Sequence, residues 1–500
     1  MDSSSSREIV RRWLAALGCF AIVLFFFSPS WAAFSLWARV PEMSGMLEVR
    51  RGASVLTQVA HPGAEIADPL HQAIQWRLLF PLIGHVLGLS PLLFFSLADV
   101  GCVLVLAYVV TLLRRAKYGW WETILASVAI GASSWLFVST GWLGYFDSWL
   151  ALALLLVAFA VQPWPGWAAC VWAPWVDERF VLAVPIALLC RWIRTSTGPT
   201  PGDFRWRREL GIPALLLGAF VFVRLGLLSG RSASHATLVG YFAGKDYLNA
   251  SAGRLLLGVW EGLRAGWVFV VAAVFLLRKT PGRAAIVGTA VVVMIGAGLA
   301  TAQDYSRSMT MVLPVAVTGL LLLARETVGI WRPRLLGVTA AGALLLPAHH
   351  VMQDWVNPIY YFYHELAAFS SPPPAAWPQL RELHAIDAMQ QGDFATAEAD
   401  LTLAMKLDPG DVSAAKRRGM LYASTRRWAE AKRDFTTVVQ NDPKNPDGWF
   451  LRAQVELAMT EPAAAQADFN QASALAPAEW MTRPDVKRFL VLLQRESGQP

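Results

Sequence analysis

Charged side chains of both signs stand at the ends of strongly apolar stretches, and that placement is where chemistry in this sequence begins. The sharpest instance is Asp177-Glu178-Arg179, three consecutive charges at the mouth of an apolar run that reaches Leu189 and closes on Arg191 and Arg194. An ionisable side chain at membrane depth costs about 2.5–3.5 kcal/mol on insertion scales, so three together point to a use. Arg77 lies in Gln75-Trp76-Arg77-Leu78-Leu79-Phe80-Pro81, and Asp147 in Gly144-Tyr145-Phe146-Asp147-Ser148-Trp149. Asp304 and Arg307 immediately precede an apolar run containing Pro314. The stretch after the first apolar run adds Glu42, Glu48, Glu65 and Asp68. Guanidinium groups and carboxylates gathered round one cavity suit the binding of a phosphate and the activation of a hydroxyl. Each has a bland alternative. Arg77 and Arg307 can snorkel to headgroups. Asp147 and Asp177 can cap helix N-termini for about 0.5–2 kcal/mol, and Asp304 with Arg307 can pair locally to little effect. Recurrence of acid and base at the same ends of successive spans is what argues for a site.

The elements that must position these groups are membrane helices. The chain has 500 residues, 55% hydrophobic and 16% charged, with 23 Trp. That composition belongs to a polytopic membrane protein with room for one soluble module. About eleven apolar runs are long enough to cross or deeply enter a bilayer, near 13–35, 90–113, 122–141, 145–162, 165–176, 178–193, 211–229, 256–277, 284–302, 309–324 and 334–351. Leu78–Leu89 reads as a short helix tucked against one face. Arg7–Arg12 followed by Trp13–Phe27 has the form of a signal sequence, read here as an uncleaved first span because so many spans follow. Basic clusters at Arg114–Lys117, Arg191–Arg208, Arg278–Arg283 and Arg325–Arg334 place those loops in the cytoplasm. The charges above, and everything after about residue 352, then lie on the extracytoplasmic side. The net charge of +7 sits mostly in these short loops, so orientation and lipid headgroups explain it and nucleic acid does not. Cys19, Cys102, Cys170 and Cys190 lie in or beside apolar runs and read as packing residues.

Other polar groups fall inside the runs. Asp99 and Arg224 are candidates to pair between helices. Glu261 and Arg264 are three apart and near an outer helix end, so they read as part of a cavity wall. His85, His349 and His350 lack a carboxylate or histidine at ligand spacing and read as packing or interfacial residues. Asn249-Ala250-Ser251 fits a glycosylation acceptor. No Walker loop, GxGxxG, GxSxG or HExxH occurs in a supporting context.

After the stiff linker Ser370-Ser371-Pro372-Pro373-Pro374 the composition turns soluble and a repeat appears. Pro409, Pro443 and Pro477 are 34 residues apart, as are Ala397, Ala431 and Ala465, and Asp400, Asp434 and Asp468. Leu401, Phe435 and Phe469 keep the same step, and Ala385, Gly419 and Ala453 hold the small position of the first helix in each unit. This pattern resembles the tetratricopeptide (TPR) repeat. Units fall near 378–411, 412–445 and 446–479, and 484–496 makes a closing helix with an apolar stripe. The expected architecture is all-α: a multi-span membrane domain over 1–351, a linker over 352–377 and an extracytoplasmic TPR solenoid over 378–500.

The membrane half resembles the GT-C superfamily of polytopic glycosyltransferases, which use polyprenyl-phosphate-linked sugars. The resemblance covers about residues 1–350. It rests on the long first outer loop, Arg77-Leu78-Leu79-Phe80-Pro81, the Asp177-Glu178-Arg179…Pro185 helix start and the Asp304…Arg307…Pro314 element. Joined to repeats, the chain looks like the TPR-bearing transmembrane O-mannosyltransferases. The resemblance implies transfer of a sugar from a lipid-linked donor to a protein or glycan acceptor, with the repeats recruiting acceptor or partner. Glu48 or Glu42 would be the base, where the family carries an acidic residue or acidic pair. Arg77, Arg179 and Arg307 would hold the donor phosphate. Asp147, Asp177, Glu178 and Asp304 would complete the binding site, the first three orienting sugar hydroxyls or a divalent cation. No cofactor is otherwise implied. Two rivals remain: a non-catalytic, membrane-anchored TPR scaffold, and a lipid or sugar transporter, for which no internal membrane repeat is seen.

Overall fold

Helix signals in the sequence are written plainly into the backbone. In the computed structural model, residues 3–27, 34, 47–64, 66, 74–197, 206–227, 248–326, 329, 331–353, 356–359, 378–410 and 412–496 are described. The chain divides into two units, Met1–Tyr363 and His364–Pro500.

In the first unit, α1 (Ser3–Phe26) is followed by α2 (Leu47–Ala60), α3 (Leu79–Leu87) and α4 (Pro91–Arg115). The start of α4 has Ser90 accepting the Leu93 N–H and Pro91 in the first turn, and its last turn carries Arg114 and Arg115 against the carbonyl end; each device satisfies a helix terminus that has no partner of its own. Next come α5 (Trp120–Gly131), α6 (Ser134–Gly141), α7 (Asp147–Phe159), α8 (Trp164–Trp172), α9 (Arg179–Thr197) and α10 (Trp206–Val221). They are followed by α11 (Ala252–Leu263), α12 (Trp267–Leu276), α13 (Pro281–Thr301), the continuous span α14 (Tyr305–Leu323) and α15 (Trp331–Leu345). A two-stranded antiparallel hairpin, β1 (Ala348–Val351) and β2 (Val356–Ile359), ends the unit.

Among the described residues, five helical stretches are long and apolar enough to cross a membrane: Ser6–Phe26, Pro91–Arg115, Ala252–Lys279, Pro281–Thr301 and Tyr305–Leu323. A sixth is added if α5 and α6, bent by 66°, count as one. The protein is a membrane protein. Other apolar runs form shorter helices, such as the 13 residues of α7 and the nine of α8. The run expected over 334–351 does not stay helical. It leaves helix after Leu345 at Pro347, and the next residues form β1. Burial separates the helices sharply. In the span Tyr305–Leu323, 89% is buried inside protein, against 17% for Ser6–Phe26 and 22% for Pro281–Thr301. Of the long candidate spans, the one that opens at Tyr305, beside Asp304 and Arg307, is therefore the most deeply buried. Its Leu313, Ala316 and Leu320 pack with Leu150 and Leu154 of α7 and Phe180, Ala183 and Ala187 of α9 in the main core.

Described helices of the second unit are α16 (Pro378–Gln390), α17 (Phe394–Leu407), α18 (Val412–Ser424), α19 (Trp428–Asn441), α20 (Pro446–Ala458), α21 (Pro462–Leu475) and α22 (Pro484–Glu496). Helices pack in successive pairs, and the 34-residue period reappears as repeated contacts. Ala397, Ala431 and Ala465 are fully buried. A Cβ at Gly419 would lie 2.7 Å from the Phe435 ring, so only glycine lets the two helices meet there. Arg418 forks onto Asp434 at 2.7 and 2.8 Å, and Arg452 onto Asp468. In the first pair, Arg381 and His384 share Asp400. Phe489 of α22 closes on Phe450 and Phe469 at ring separations of 5.3 and 5.5 Å.

Candidate functional site

All seven charged residues singled out as binding candidates meet in one alternating chain of acid and base. It runs Glu178, Arg77, Asp177, Arg179, Asp147, Arg307, Asp304. Arg77 donates to both oxygens of Glu178 at 2.9 and 2.6 Å and lies 2.9 Å from Asp177 Oδ2. Arg179 reaches Asp177 at 2.9 and 2.7 Å and Asp147 Oδ1 at 2.6 Å. Arg307 takes Asp147 at 2.9 to 3.2 Å, Asp304 Oδ2 at 2.6 Å and Asp177 Oδ2 at 3.5 Å. Residues 77, 147, 177 and 307 come from four separate parts of the sequence, so this convergence is a product of the fold and not of local spacing.

Local structure explains the aim of each group. The Asp177 carboxylate accepts the Arg179 N–H at 3.0 Å, which starts α9 and faces the two side chains toward each other. Asp147 opens α7 and is 1% exposed, so its favourable position at the helix N-terminus adds to its two arginine partners. Arg307 is set by a glycine pair in α11. A Cβ on Gly258 would stand 2.5 Å from Tyr305 Cβ, and one on Gly262 would stand 2.1 Å from Met309 Cβ. Two small residues four apart let the turn carrying Arg307 lie directly on α11.

A second layer encloses the chain of charges. Arg51 of α2 stacks on Tyr145 with its guanidinium carbon 3.9 Å from the ring centre and donates to Gly144 O at 3.0 Å. Arg307 lies 4.4 Å from the centre of the same ring. Gly52 presses on Leu143, where a Cβ would come within 2.6 Å, and Gly144 turns with φ +80°. The first loop therefore contributes a helix that packs over the Leu143–Tyr145 turn. His350 of β1 places Nε2 3.3 Å from Asp304 Oδ1 and Nδ1 3.3 Å from Ser306 Oγ, with its ring 4.9 Å from Trp142. The Ser306 hydroxyl also accepts the Val351 N–H at 3.1 Å and is fully buried. This serine fastens β1 to the start of α14 and has no exposure with which to act as a nucleophile.

Electrostatics favour the ionised state throughout. Burial pushes the Asp177 carboxyl up, but Arg179, Arg77 and Arg307 outweigh it and hold it well below the usual carboxylate range. Asp304 behaves alike: burial opposes, and Arg307 with His350 wins. For Arg51 burial dominates and brings the guanidinium down to about 10, with Arg77 and Arg307 adding to the fall and Tyr145 opposing it. Among the described residues Arg51 has no carboxylate within ion-pair distance, so four guanidinium groups (51, 77, 179, 307) face four carboxylates (147, 177, 178, 304). Nη1 of Arg179 is buried with no hydrogen-bond partner among the described residues.

Of the base candidates, Glu42 lies outside the described residues, as do Glu65 and Asp68. Glu48 is in α2, one turn before Arg51, and its side chain lies outside the described ones. Three expectations are corrected. Arg224 does not pair with Asp99; it lies 5.3 Å from the centre of the Trp76 ring. Arg264 is no cavity wall: besides Glu261 at 3.4 Å it donates to the carbonyls of Ala343, Leu346 and Pro347, closing the C-terminal end of α15. His349 and His350 do have carboxylate partners, Glu261 at 3.1 Å and Asp304 at 3.3 Å. Arg51, Tyr145 and His350 are the site neighbours that sequence reasoning did not assign. Only the proximity of Tyr145 to Asp147 offered a signal.

A divalent ion fits this arrangement poorly. Among the described residues no three His, Cys, Asp or Glu groups are placed to hold one, and Asp147, Asp177 and Asp304 already face guanidinium groups. The donors left over among the described residues are the guanidinium of Arg51 and Nη1 of Arg179, and guanidinium donors suit an anion with several oxygens, such as phosphate. No protein-family model matches the chain and no curated protein matches it in sequence, so the functional reading rests on this geometry.

Proposed function

We propose that the protein is a membrane glycosyltransferase that moves a sugar from a polyprenyl-phosphate donor to an acceptor. One observation carries the reading: three guanidinium groups, two of them buried, and four carboxylates converge at one end of a membrane domain. Buried ion pairs contribute little to stability compared with apolar packing of the same volume, because each ion loses several kcal/mol of hydration. A chain of seven is therefore better understood as a preorganised site than as a brace.

In this reading Arg77, Arg179 and Arg307 face the donor phosphate. The acceptor oxygen attacks the anomeric carbon as the bond from that carbon to the phosphate oxygen breaks. The bonding electrons stay on the phosphate, and the guanidinium groups already in place stabilise the growing charge without reorganising. Glu48 or Glu42 takes the acceptor proton, and Asp147, Asp177 and Glu178 orient sugar hydroxyls. Basic clusters in the opposite loops support a cytoplasmic N-terminus and an extracytoplasmic site. The 34-residue period and its repeated helix-pair contacts support reading the second unit as TPR repeats, lying on the same side and recruiting the acceptor or a partner protein.

The test is binding of a polyprenyl-phosphate sugar to the purified protein and to Arg77→Ala, Arg179→Ala and Arg307→Ala. Binding by the wild type, with loss of at least tenfold in two folded variants, is expected from a lost charge-assisted contact. No binding across a broad donor panel overturns the reading. A second reading, a membrane-anchored scaffold, is favoured by one fact: every carboxylate in the chain already has a guanidinium partner, as in a purely structural clasp. Glu42→Gln and Glu48→Gln separate the two, since an enzyme loses transfer with its base and a scaffold loses nothing.

A further inference from the structure

The closing helix α22 carries more apolar side chains than closing the repeats requires. Its Val486, Phe489 and Leu493 are buried against Phe450, Phe469 and Trp480. Val491 and Leu492 are turned away from that core, 65% and 47% exposed. Val491 is the most exposed of the large apolar side chains described in the second unit. A helix that only seals a solenoid needs a polar outer face, which keeps the terminal repeat soluble. This one has a mixed face.

The rest of that face is basic. With a turn of about 100° per residue, Lys487, Val491, Arg495, Arg488 and Leu492 succeed one another round about 140° of the helix. All five are exposed. Among the described residues Lys487, Arg488 and Arg495 have no carboxylate within ion-pair distance. The acids of the helix, Asp485 and Glu496, lie beyond Leu492 at the edge of the face, and Asp485 is taken by Arg483 at 3.1 and 2.6 Å. Three unpaired cations set round two exposed apolar side chains are the composition of an interfacial helix. The charged heads reach phosphates while the apolar tips enter the headgroup boundary.

We propose that the outer face of α22 is a docking surface for a bilayer containing anionic lipid. Charge complementarity selects anionic headgroups. Val491 and Leu492 select a lipid surface over an acidic polypeptide, which would satisfy the cations and leave the apolar pair in water. The bilayer is always at hand, because the first unit of the same chain is a membrane domain. Residues 360–377 supply up to about 60 Å of extended chain. Three helix pairs spaced at roughly 10 Å put α22 about 30 Å from α16, so the tether lets α22 meet the membrane that anchors it. Tethering also raises the effective lipid concentration, so a contact too weak to hold a free domain suffices. The surface takes no part in sugar transfer and stands or falls apart from that reading.

The experiment reconstitutes the full-length protein in nanodiscs of phosphatidylcholine, alone or mixed with phosphatidylglycerol. Val491→Cys carries an apolar fluorescent label, and the four native cysteines, all buried, leave the label to that position. Gln440→Cys, exposed on α19, carries it in the control. Nitroxide-bearing lipid then quenches whichever label lies at the headgroups. Three cations favour an anionic surface over a neutral one by about 100-fold in association. Quenching at 491 is therefore expected in discs with phosphatidylglycerol, and not in discs without it or at 440. Salt should reverse it by screening. The triple change Lys487→Gln, Arg488→Gln, Arg495→Gln should abolish it, and Leu492→Ser should weaken it; thermal unfolding shows that each variant is folded. No quenching at 491, equal quenching in both kinds of disc or at both positions, or full quenching in either variant would each overturn the proposal. So would an emission shift at 491 on adding polyglutamate to the phosphatidylcholine discs, which would assign the face to acidic polypeptides.

Discussion

Asp147 is the most deeply buried side chain of the ion chain. It accepts from Arg179 and from both nitrogens of the Arg307 fork while almost wholly buried. Asp147→Asn keeps the shape but strands two buried cations, and removal of one partner from a buried pair costs about 3–5 kcal/mol. A large fall in the thermal midpoint of the purified protein is expected. Glu178→Gln should cost under about 1 kcal/mol, because its carboxylate is 43% exposed and water screens the pair with Arg77. Comparable losses from the two would refute the ranking. Acid should act late. Asp177 and Asp304 are held below the ordinary value of about 3.9, so the stability they contribute is complete above that value and is lost as pH falls through their lowered values. Thermal midpoints measured from pH 7 downward should show no loss from these two groups until about pH 4. The residue types of this cluster were legible because charges are so rare in an apolar chain. Their pairing was not, since Asp147 meets Arg307 across 160 positions of sequence, and only the packing of α7, α9 and α14 sets that distance. The predicted partnership of Asp99 with Arg224 failed for the same reason.

Elements position the chemistry through close backbone approach. Gly258 and Gly262 seat the first turn of α14 on α11, so a methyl group at Gly262 must push Met309 and Arg307 away. Gly262→Ala is expected to weaken donor binding by about tenfold or more, since misplacing a binding group by about 1 Å can cost far more than that in rate. Gly253→Ala, in the same helix with nothing within 4 Å, is the matched control and should bind as the wild type does. Equal effects would show that helix propensity and not contact is responsible. At this scale the long helices could be read from their apolar runs, caps and basic ends. The helix α2 was passed over. Half of its fourteen residues are apolar and fall at helical spacing, but it is too short and too charged to cross a bilayer, a glycine sits in its middle, and Arg50-Arg51 reads as loop. What holds it is tertiary: Gly52 against Leu143, and Val49 and Val55 among Phe80, Phe94 and Phe146. The β1–β2 hairpin was likewise invisible, because Ala348–Val351 continues an apolar run that only Pro347 and the Arg264 contacts to the Ala343, Leu346 and Pro347 carbonyls bring to a close.

For the whole molecule, the division into Met1–Tyr363 and His364–Pro500 separates two kinds of stability. Repeats add their energies locally, each helix pair leaning on its neighbours. Phe435→Ala, at a ring that packs on Gly419 and is 1% exposed, should cost about 3–5 kcal/mol in the second unit. Donor binding by the first unit should not change. A differential scan with bound donor reports both: one transition should move and the other stay. Movement of both would mean that the units unfold together. The period that marks the repeats was the clearest signal in the sequence, because Ala, Gly, Asp and Pro recur where helix pairs touch.

The clasp on Ser306 has a consequence for movement. Its hydroxyl takes the Val351 N–H, and His350 on the same strand reaches Asp304, so the β1–β2 hairpin is tethered twice to the turn that carries Arg307. Whatever shifts the hairpin therefore shifts the end of the ion chain with it.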